Sequence, residues 1–185
     1  MTPDAAQPTD EALMAALARG DDPALDALML RWQVPLRSFL HRYLQNDADA
    51  LDLAQETFVR IYQHRSRYRE GARFSTWMFQ IALNLARDHA RRRQRRPLVA
   101  LESITEPIHA RTPNSDALAV ERIHAIRTAL AALPDHLRAA LVLFEYEDKS
   151  HAEIAAIVDA TPKAVETRIA RARDLLRKSL AAWIN

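Results

Sequence analysis

The chain of 185 residues contains no cysteine and only two glycines, Gly20 and Gly71. Without cysteine, disulfide scaffolds, cysteine-based zinc sites and thiol nucleophiles are excluded. Two isolated glycines cannot build a glycine-rich phosphate-binding loop. The longest apolar run, residues 139–144, is far shorter than the roughly 20 residues that span a bilayer. Because the acidic N-terminus also lacks a signal-peptide pattern, we expect a cytoplasmic protein without membrane insertion.

Lysine is also scarce, with three lysines among 26 basic residues, and 24 acidic residues leave a formal net charge of only +2. This small total conceals strong segregation along the chain. Residues 1–57 carry a net charge of −6, 58–99 carry +9, 100–160 carry −5 and 161–185 carry +4. Each basic block is a candidate contact with a polyanion, although a solvated helical face is the alternative for either block alone.

Alanine, leucine and arginine dominate the composition, which favours helices over strands. Apolar residues spaced by three and four, capping residues and prolines predict an all-α fold. The predicted helices cover 10–19, 23–44, 47–64, 75–96, 116–133, 135–147, 151–158 and 162–180. Residues 97–115 contain three of the nine prolines and predict a flexible linker. We therefore expect two small helical domains, residues 1–96 and 116–185.

Local signals set several of these boundaries. Asp22 and Ser75 are predicted helix caps, and Leu51 is assigned to the buried face of its helix. Gly20 is suited to the position that follows a helix end. Ser150 and Glu153 have the spacing of a capping box, and Thr161 with Pro162 predicts a cap followed by a first-turn proline.

Two short helices joined by a tight turn, 151–158 and 162–180, have the proportions of a helix-turn-helix, although an ordinary helical hairpin is the alternative. Val165, Ile169 and Ala172 fall on one face of the second helix and are expected to pack inward. The outward face mixes residue types that contact phosphates and base edges. These residues are Lys163, Glu166, Thr167, Arg168 and Arg171.

In the first half, six of the twelve aromatic residues lie within 58–79 and alternate with arginines. Rings that stack on bases and guanidiniums that bind phosphates are what unstacked single-stranded DNA requires. Phe58, Tyr62 and Phe79 are better explained as core, whereas Tyr68, Phe74 and Trp77 flank Gly71 and are candidate ligand contacts. An acidic helix face upstream suggests a protein contact.

Three segments resemble, in order, those of bacterial extracytoplasmic-function sigma factors, group 4 of the sigma-70 family. Residues 47–58, DADALDLAQETF, resemble the helix that binds the polymerase clamp. Residues 73–88, RFSTWMFQIALNLARD, resemble the promoter-melting helix. Residues 133–138, LPDHLR, and 150–173 resemble the helix-turn-helix of region 4. The match extends over about residues 10–180, and three motifs in the same order make it specific.

The resemblance implies a sigma factor that binds core RNA polymerase and directs promoter-specific transcription initiation. It implies contacts with the β′ clamp helices through Asp49, Asp52, Gln55 and Glu56. It implies that the first domain reads the −10 element as melted strand, through Tyr68, Arg69, Arg73, Phe74, Ser75, Trp77, Asn84, Asp88 and Arg91. It implies that the second domain sits on the β flap and reads the −35 duplex, through Lys163, Glu166, Thr167, Arg168 and Arg171.

An anti-sigma factor is a further partner that the resemblance implies, whereas a catalytic residue, a metal or a cofactor is not expected. Glu166 departs from the family, because many relatives carry a basic residue there. A repressor or activator that uses only the helix-turn-helix is the main alternative. It leaves the aromatic and arginine block unexplained. An enzyme is a weaker alternative, since the single Glu121-x-x-His124 pattern has no second copy for a dimetal site.

Overall fold

The computed structural model describes residues 7–69, 71–95 and 116–183. These residues form eight α-helices and two short 3-10 segments, with no strand among them. The helices are α1 (Asp10–Ala18), α2 (Pro23–Leu44), α3 (Asp47–Gln63), α4 (Phe74–Arg95), α5 (Asp116–Ala132), α6 (Asp135–Tyr146), α7 (His151–Val158) and α8 (Pro162–Ser179). The all-α prediction is confirmed, with most boundaries within one or two residues. The predicted linker, 97–115, lies outside the described residues.

Helices α1–α4 form the first unit. They pack around a hydrophobic core to which α2 contributes its apolar face. Phe39 and Tyr43 stack with ring centroids 6.1 Å apart, and Phe79 of α4 meets Phe39 edge-on at 5.0 Å. Phe58 of α3 is buried in the same core, as predicted. The buried rings fix α4 against α2, and thereby set the direction in which the opposite face of α4 points.

Several helix ends follow the local signals. Asn46, Ser150 and Thr161 each accept a hydrogen bond from a backbone N–H of the first turn, and Glu153 completes a capping box with Ser150. Gly20 adopts a φ of +98° just after α1, a left-handed conformation that glycine tolerates without strain. Asp22 is the N-cap residue of α2, as predicted, but its side chain makes no capping hydrogen bond and instead accepts from the Tyr62 hydroxyl.

Helices α5–α8, the second unit, form a smaller bundle in which α8 packs on α5, α6 and α7. Val165, Ile169 and Ala172 are buried, as their spacing along the helix predicted. The turn between α7 and α8 contains no glycine, and Asp159 adopts the left-handed conformation with a φ of +52°. Aspartate tolerates that conformation better than most residues, so the turn closes without glycine.

The two units pack against each other, with α4 against α7 and α2 against α5 and α6. Their buried side chains belong to one continuous hydrophobic cluster. This closeness was not predicted, because the sequence analysis treated the halves as separate domains on a flexible linker.

Candidate functional site

The turn that precedes α4 presents two half-buried aromatic rings. Tyr68 and Trp77 lie with ring centroids 5.4 Å apart at a tilt of 55°. Gly71 has a φ of +86°, and the Tyr68 hydroxyl donates to the carbonyl oxygen of Ala72, which closes the turn. Burial raises the pKa of Tyr68, so the phenol stays neutral and available as a donor. The pair therefore forms a rigid edge beside which a base can stack.

Phe74, a predicted DNA contact, faces the interior of the first unit. Its ring is completely buried and meets Trp32 edge-on at 6.2 Å. The predicted cap at Ser75 is wrong, because α4 begins at Phe74 and the Ser75 hydroxyl accepts a hydrogen bond from Lys149 at 3.0 Å. The carboxylate of Glu11, in α1, accepts instead from the backbone N–H of Phe74 at 3.2 Å.

Other predicted −10 contacts lie on the surface of the first unit. Arg69 and Asn84 are exposed, and Asp88 pairs with Arg91 one turn further along α4. The hydrogen bond from Arg91 holds the pKa of Asp88 below its usual value. Arg73 is exposed but pairs with Glu153 of α7, with 3.1 Å between nitrogen and oxygen.

The four residues predicted to bind polymerase lie along α3 but have different surroundings. Asp49 contacts His89 at 3.2 Å and Arg93 at 3.3 Å, both on α4. Glu56 contacts Arg60 at 2.7 Å. Asp52 and Gln55 are exposed. The carboxylate of Asp49 is therefore already neutralised within the chain, and the freer part of this face is its C-terminal half.

A groove between α2 and α3 was missed by the sequence analysis. It encloses about 470 Å³, and its lining includes Met29, Val34, Arg37, Leu51, Gln55 and Phe58. Val34 is 68% exposed and Leu51 is 44% exposed, so the assignment of Leu51 to the interior is wrong. The groove could have been inferred from the sequence, because Val34 and Leu51 are apolar residues that fall outside the buried stripe of their helices.

The outward residues of α8 are distributed as the helix-turn-helix interpretation predicts. Glu166, Thr167 and Arg171 are exposed, and Arg168 is partly exposed. Lys163 pairs with Glu166 at 2.9 Å, and this contact lowers the pKa of Glu166, which therefore stays ionised. The Thr167 hydroxyl donates to the carbonyl oxygen of Lys163 at 3.0 Å.

Arg171 forms no ion pair with any residue that the structure describes. Arg173 and Arg177, further along α8, are paired with Glu145 at 2.6 Å and with Asp174 at 2.7 Å. Arg171 lies near the middle of α8 and pairs with no described residue, whereas Arg173 and Arg177 beyond it are paired. Arg171 is therefore better suited than Arg173 or Arg177 to contact a phosphate.

Among residues 7–69, 71–95 and 116–183, no group of three acidic or histidine side chains is arranged to hold a metal ion. The helices of the same segments include none that is long and apolar enough to cross a membrane.

Comparison with known proteins identifies the class. Residues 28–96 match the family model "Sigma-70 region 2", and residues 123–176 match "Sigma-70, region 4". The RNA polymerase sigma-H factor of Pseudomonas aeruginosa is 33% identical, over 94% of this chain and 95% of its own. The ECF RNA polymerase sigma-E factor of Haemophilus influenzae is 31% identical, over 95% of this chain and 97% of that protein.

A solved structure of CnrH in complex with the cytosolic domain of CnrY has a TM-score of 0.73 and 28% identity. It covers 94% of this chain and 98% of the CnrH chain. The chain belongs to the sigma-70 family, as an extracytoplasmic-function sigma factor, and its two units are region 2 and region 4. It is a transcription initiation factor that directs promoter-specific initiation by RNA polymerase.

Proposed function

We propose that the chain divides promoter recognition between its units, with residues 1–96 reading the −10 element as melted strand and residues 116–185 reading the −35 element as duplex. The observation that carries this proposal is the chemical difference between two surfaces. The Tyr68 and Trp77 pair offers ring faces and edges for stacking, whereas α8 offers outward polar and cationic side chains of the kind that enter a major groove.

The −10 surface consists of the aromatic pair, the exposed Arg69 and the outer face of α4. A base that leaves the stack is expected to contact Trp77, and Arg69 is expected to hold a flanking phosphate. Asn84, Asp88 and Arg91 continue along α4 as polar contacts to the strand. Phe74 supports this surface from inside, through its contact with Trp32.

The −35 surface is the outward face of the first ten residues of α8, Pro162 to Arg171. Arg171 and Arg168 are the expected phosphate contacts, and Lys163 and Thr167 lie nearer the start of the helix. Glu166 repels phosphate but accepts a hydrogen bond from a cytosine amino group. Its pairing with Lys163 favours a base contact over a phosphate contact at this position.

Core polymerase is expected to bind the groove between α2 and α3. Helices that dock in grooves use apolar contacts at the centre and polar contacts at the rim. Val34 and Leu51 supply the centre, Gln55 supplies a polar contact at its edge, and the acidic residues Asp52 and Glu56 are its neighbours along α3. This combination suits the β′ clamp helices, and region 4 is expected to sit on the β flap.

The proposal treats the chain as a cytoplasmic protein without catalytic activity of its own. An anti-sigma factor is the regulatory partner we expect.

Purified core polymerase and a library of genomic fragments provide the test. The proposal predicts co-purification of the chain with core polymerase and run-off transcripts that depend on the chain. The alternative, a repressor or activator that binds duplex DNA alone, predicts fragment binding without either result. Absence of chain-dependent transcripts from every fragment would contradict the proposal.

A further inference from the structure

Helix α1 packs beside the turn that carries the Tyr68 and Trp77 pair. The apolar side of α1 is buried in the core of the first unit. The helix contacts the start of the chain segment that leads into the turn, the 3-10 segment Arg65–Arg67, and it also contacts α4, which follows the turn. Helix α1 therefore touches the chain on both sides of the −10 turn.

Glu11 is the residue of α1 that holds the start of α4. Its carboxylate accepts a hydrogen bond at 3.2 Å from the backbone N–H of Phe74, the first residue of α4. The first N–H groups of a helix have no partner within the helix, and a negative charge beside them is favoured by the helix dipole. Because Glu11 lies 63 residues before Phe74, this contact ties the position of α1 to the start of α4.

Asp10 holds Phe74 from its other side, through Trp32. Its two carboxylate oxygens accept hydrogen bonds from the indole N–H of Trp32 at 2.9 Å and from the guanidinium of Arg31 at 3.0 Å. The indole fixed in this way meets the Phe74 ring edge-on, with 6.2 Å between the ring centroids. Two consecutive acidic residues of α1 therefore hold Phe74, one by its backbone and one by its ring.

The start of α1 is itself fixed, so the helix is suited to act as a support. The hydroxyl of Thr9 accepts a hydrogen bond at 3.1 Å from a backbone N–H of the first turn. The Arg31 guanidinium donates to the carbonyl oxygen of Pro8 at 2.7 Å and to the side-chain oxygen of Gln7 at 3.2 Å. These bonds hold the beginning of α1 against α2.

The carboxylates of Asp10 and Glu11 are poorly suited to contact DNA themselves, because like charges repel and phosphate is an anion. Both charges act at the −10 turn: burial, and then the charges of Glu11 and Asp10, raise the pKa of the Tyr68 hydroxyl. Loss of one of these charges alone should therefore strengthen binding to DNA. Loss of a support for the turn should weaken it, so the two roles predict opposite results.

We propose that α1 is a positioning element for −10 recognition, in which Glu11 and Asp10 fix Phe74 and thereby hold the Tyr68 and Trp77 rings in place for an unstacked base. Trp77 lies in the first turn of α4, so a shift of the helix start moves its ring directly. Rings that are held in place beforehand lose less freedom when a base binds. The inference rests on the proposed −10 role of the aromatic pair, but the positioning itself is measurable without DNA.

Hydrogen exchange of the Phe74 amide, followed by NMR in the full chain, tests the positioning. Glu11→Ala removes the acceptor and should raise the exchange rate of this amide about fivefold, the usual effect of a lost helix cap. Glu11→Gln keeps an oxygen acceptor and should restore most of the protection. The amide of Leu83, in the middle of α4, is the internal reference and should exchange at the same rate in each variant.

An unchanged rate at Phe74 in the Glu11→Ala variant would overturn the inference. An equal rise at Phe74 and Leu83 would show a general loss of stability, and it would overturn the inference as well.

Opening of a double-stranded, chain-dependent promoter by the reconstituted holoenzyme tests the consequence for recognition. A fluorescent adenine analogue in the −10 segment reports the fraction opened. Glu11→Ala should lower the equilibrium constant for opening about fivefold, although it removes a negative charge, and Glu11→Gln should open the promoter as the unchanged chain does. Glu121→Ala, at an exposed glutamate of α5, removes the same charge and should cause no loss. Equal or better opening by Glu11→Ala would overturn the inference.

A double variant shows whether Glu11 acts through the aromatic pair. In a chain that already carries Trp77→Ala, the further change Glu11→Ala should cost little, because the ring that it positions is gone. Losses that multiply as if the two residues were independent would overturn the inference.

The two measurements separate this inference from the proposed function. Chain-dependent opening, with a Phe74 amide that is insensitive to Glu11→Ala, would leave the proposed function intact and refute positioning by α1. Faster exchange of the Phe74 amide alone, with no promoter opened by the holoenzyme, would support the contact between α1 and α4 and refute the proposed function.

Discussion

Arg171 and Arg177 carry the same charge on the same helix but differ in their surroundings. Arg171 is exposed and pairs with no described residue, whereas Arg177 pairs with Asp174 at 2.7 Å. We expect Arg171→Ala to weaken binding to −35 duplex and to reduce the slope of log affinity against log salt by about one phosphate contact. Fluorescence anisotropy at several salt concentrations measures both quantities.

Arg177→Ala is the matched control for this prediction, because it removes a guanidinium that is already neutralised. It should change the salt slope much less than Arg171→Ala does. Equal slopes in the unchanged chain and the Arg171→Ala variant would remove Arg171 from the DNA contacts.

Glu147 makes the contact between the two units sensitive to pH. The closed form is the observed arrangement, in which the units pack together, and in an open form they lie apart. The Glu147 side chain is 7% exposed between α2 and the connector that joins α6 to α7, and burial raises its pKa to about 7, against the opposing effects of Arg42 and Lys149. Asp148, on the same connector, raises the pKa further. In an open molecule the carboxyl is hydrated, and its pKa returns to the ordinary value for glutamate, which is near 4.3.

The closed form therefore binds a proton that the open form releases between these two pKa values. Its stabilisation is complete below the pKa of the open form and is lost as pH rises through about 7. We expect the closed-to-open ratio to fall about thirtyfold between pH 5.5 and pH 8, a change that the distance between spin labels on the two units reports.

Glu147→Gln is the control, because it keeps the shape of the side chain and cannot titrate. It should remove most of this pH dependence. His41, next to Arg42, pairs with Asp47 at 3.0 Å, within the first unit. Retention of the full pH dependence in the Gln variant would contradict the assignment to Glu147.

At the scale of elements, α3 has one face in the core and an exposed acidic face that we propose binds core polymerase. The double change Asp52→Lys and Glu56→Lys should abolish association with core polymerase, because it reverses the charge of this acidic face beside the groove. Co-purification measures the loss, and binding to −35 duplex should not be lost. Glu121→Lys, at an exposed acidic residue of α5, is the control. It changes the net charge by the same amount as either Asp52→Lys or Glu56→Lys alone.

Retention of polymerase binding by the double variant would show that α3 is not the contact. Loss of duplex binding as well would indicate damage to the fold rather than to a surface.

The helices were predictable because their signals are local. The caps at Asn46, Ser150 and Thr161 each involve residues three apart in the sequence, and the buried stripe of α8 follows one helical period. The failed cap at Ser75 has a tertiary cause, since Glu11, 63 residues away, occupies the N–H of Phe74. Local patterns contain no information about such distant partners.

The candidate site was predictable in composition more than in geometry. Phe74 and Trp77 belong to one aromatic and arginine block, yet the packing of Trp32 buries the first completely and leaves the second half-buried. Leu51 was assigned to the interior because it is apolar, but it lines a groove at the surface. Which side of a helix finds a partner depends on how the neighbouring helices pack.

At the scale of the whole molecule, the alternating charge blocks have partners within the chain. Arg42, Arg73 and Arg87 of region 2 pair with Glu147, Glu153 and Asp135 of region 4. Two of these arginines come from the basic block 58–99, and all three acids come from the acidic block 100–160. The small net charge therefore reflects segregated charges that neutralise one another when the units close.

The central claim, that region 2 reads melted strand while region 4 reads duplex, is tested most directly by transcription on two forms of one chain-dependent promoter. One form is fully double-stranded, and the other has a −10 segment that is unpaired in advance. Trp77→Ala and Arg171→Ala are compared with the unchanged chain under the same conditions, with polymerase binding measured in parallel.

Loss of a base–aromatic stack is worth about 1–3 kcal/mol, so Trp77→Ala should reduce transcription from the double-stranded form at least about fivefold while polymerase binding persists. The account predicts that the unpaired template restores much of the activity of Trp77→Ala and none of the loss caused by Arg171→Ala. Equal recovery of both variants, or loss of polymerase binding by Trp77→Ala, would contradict it.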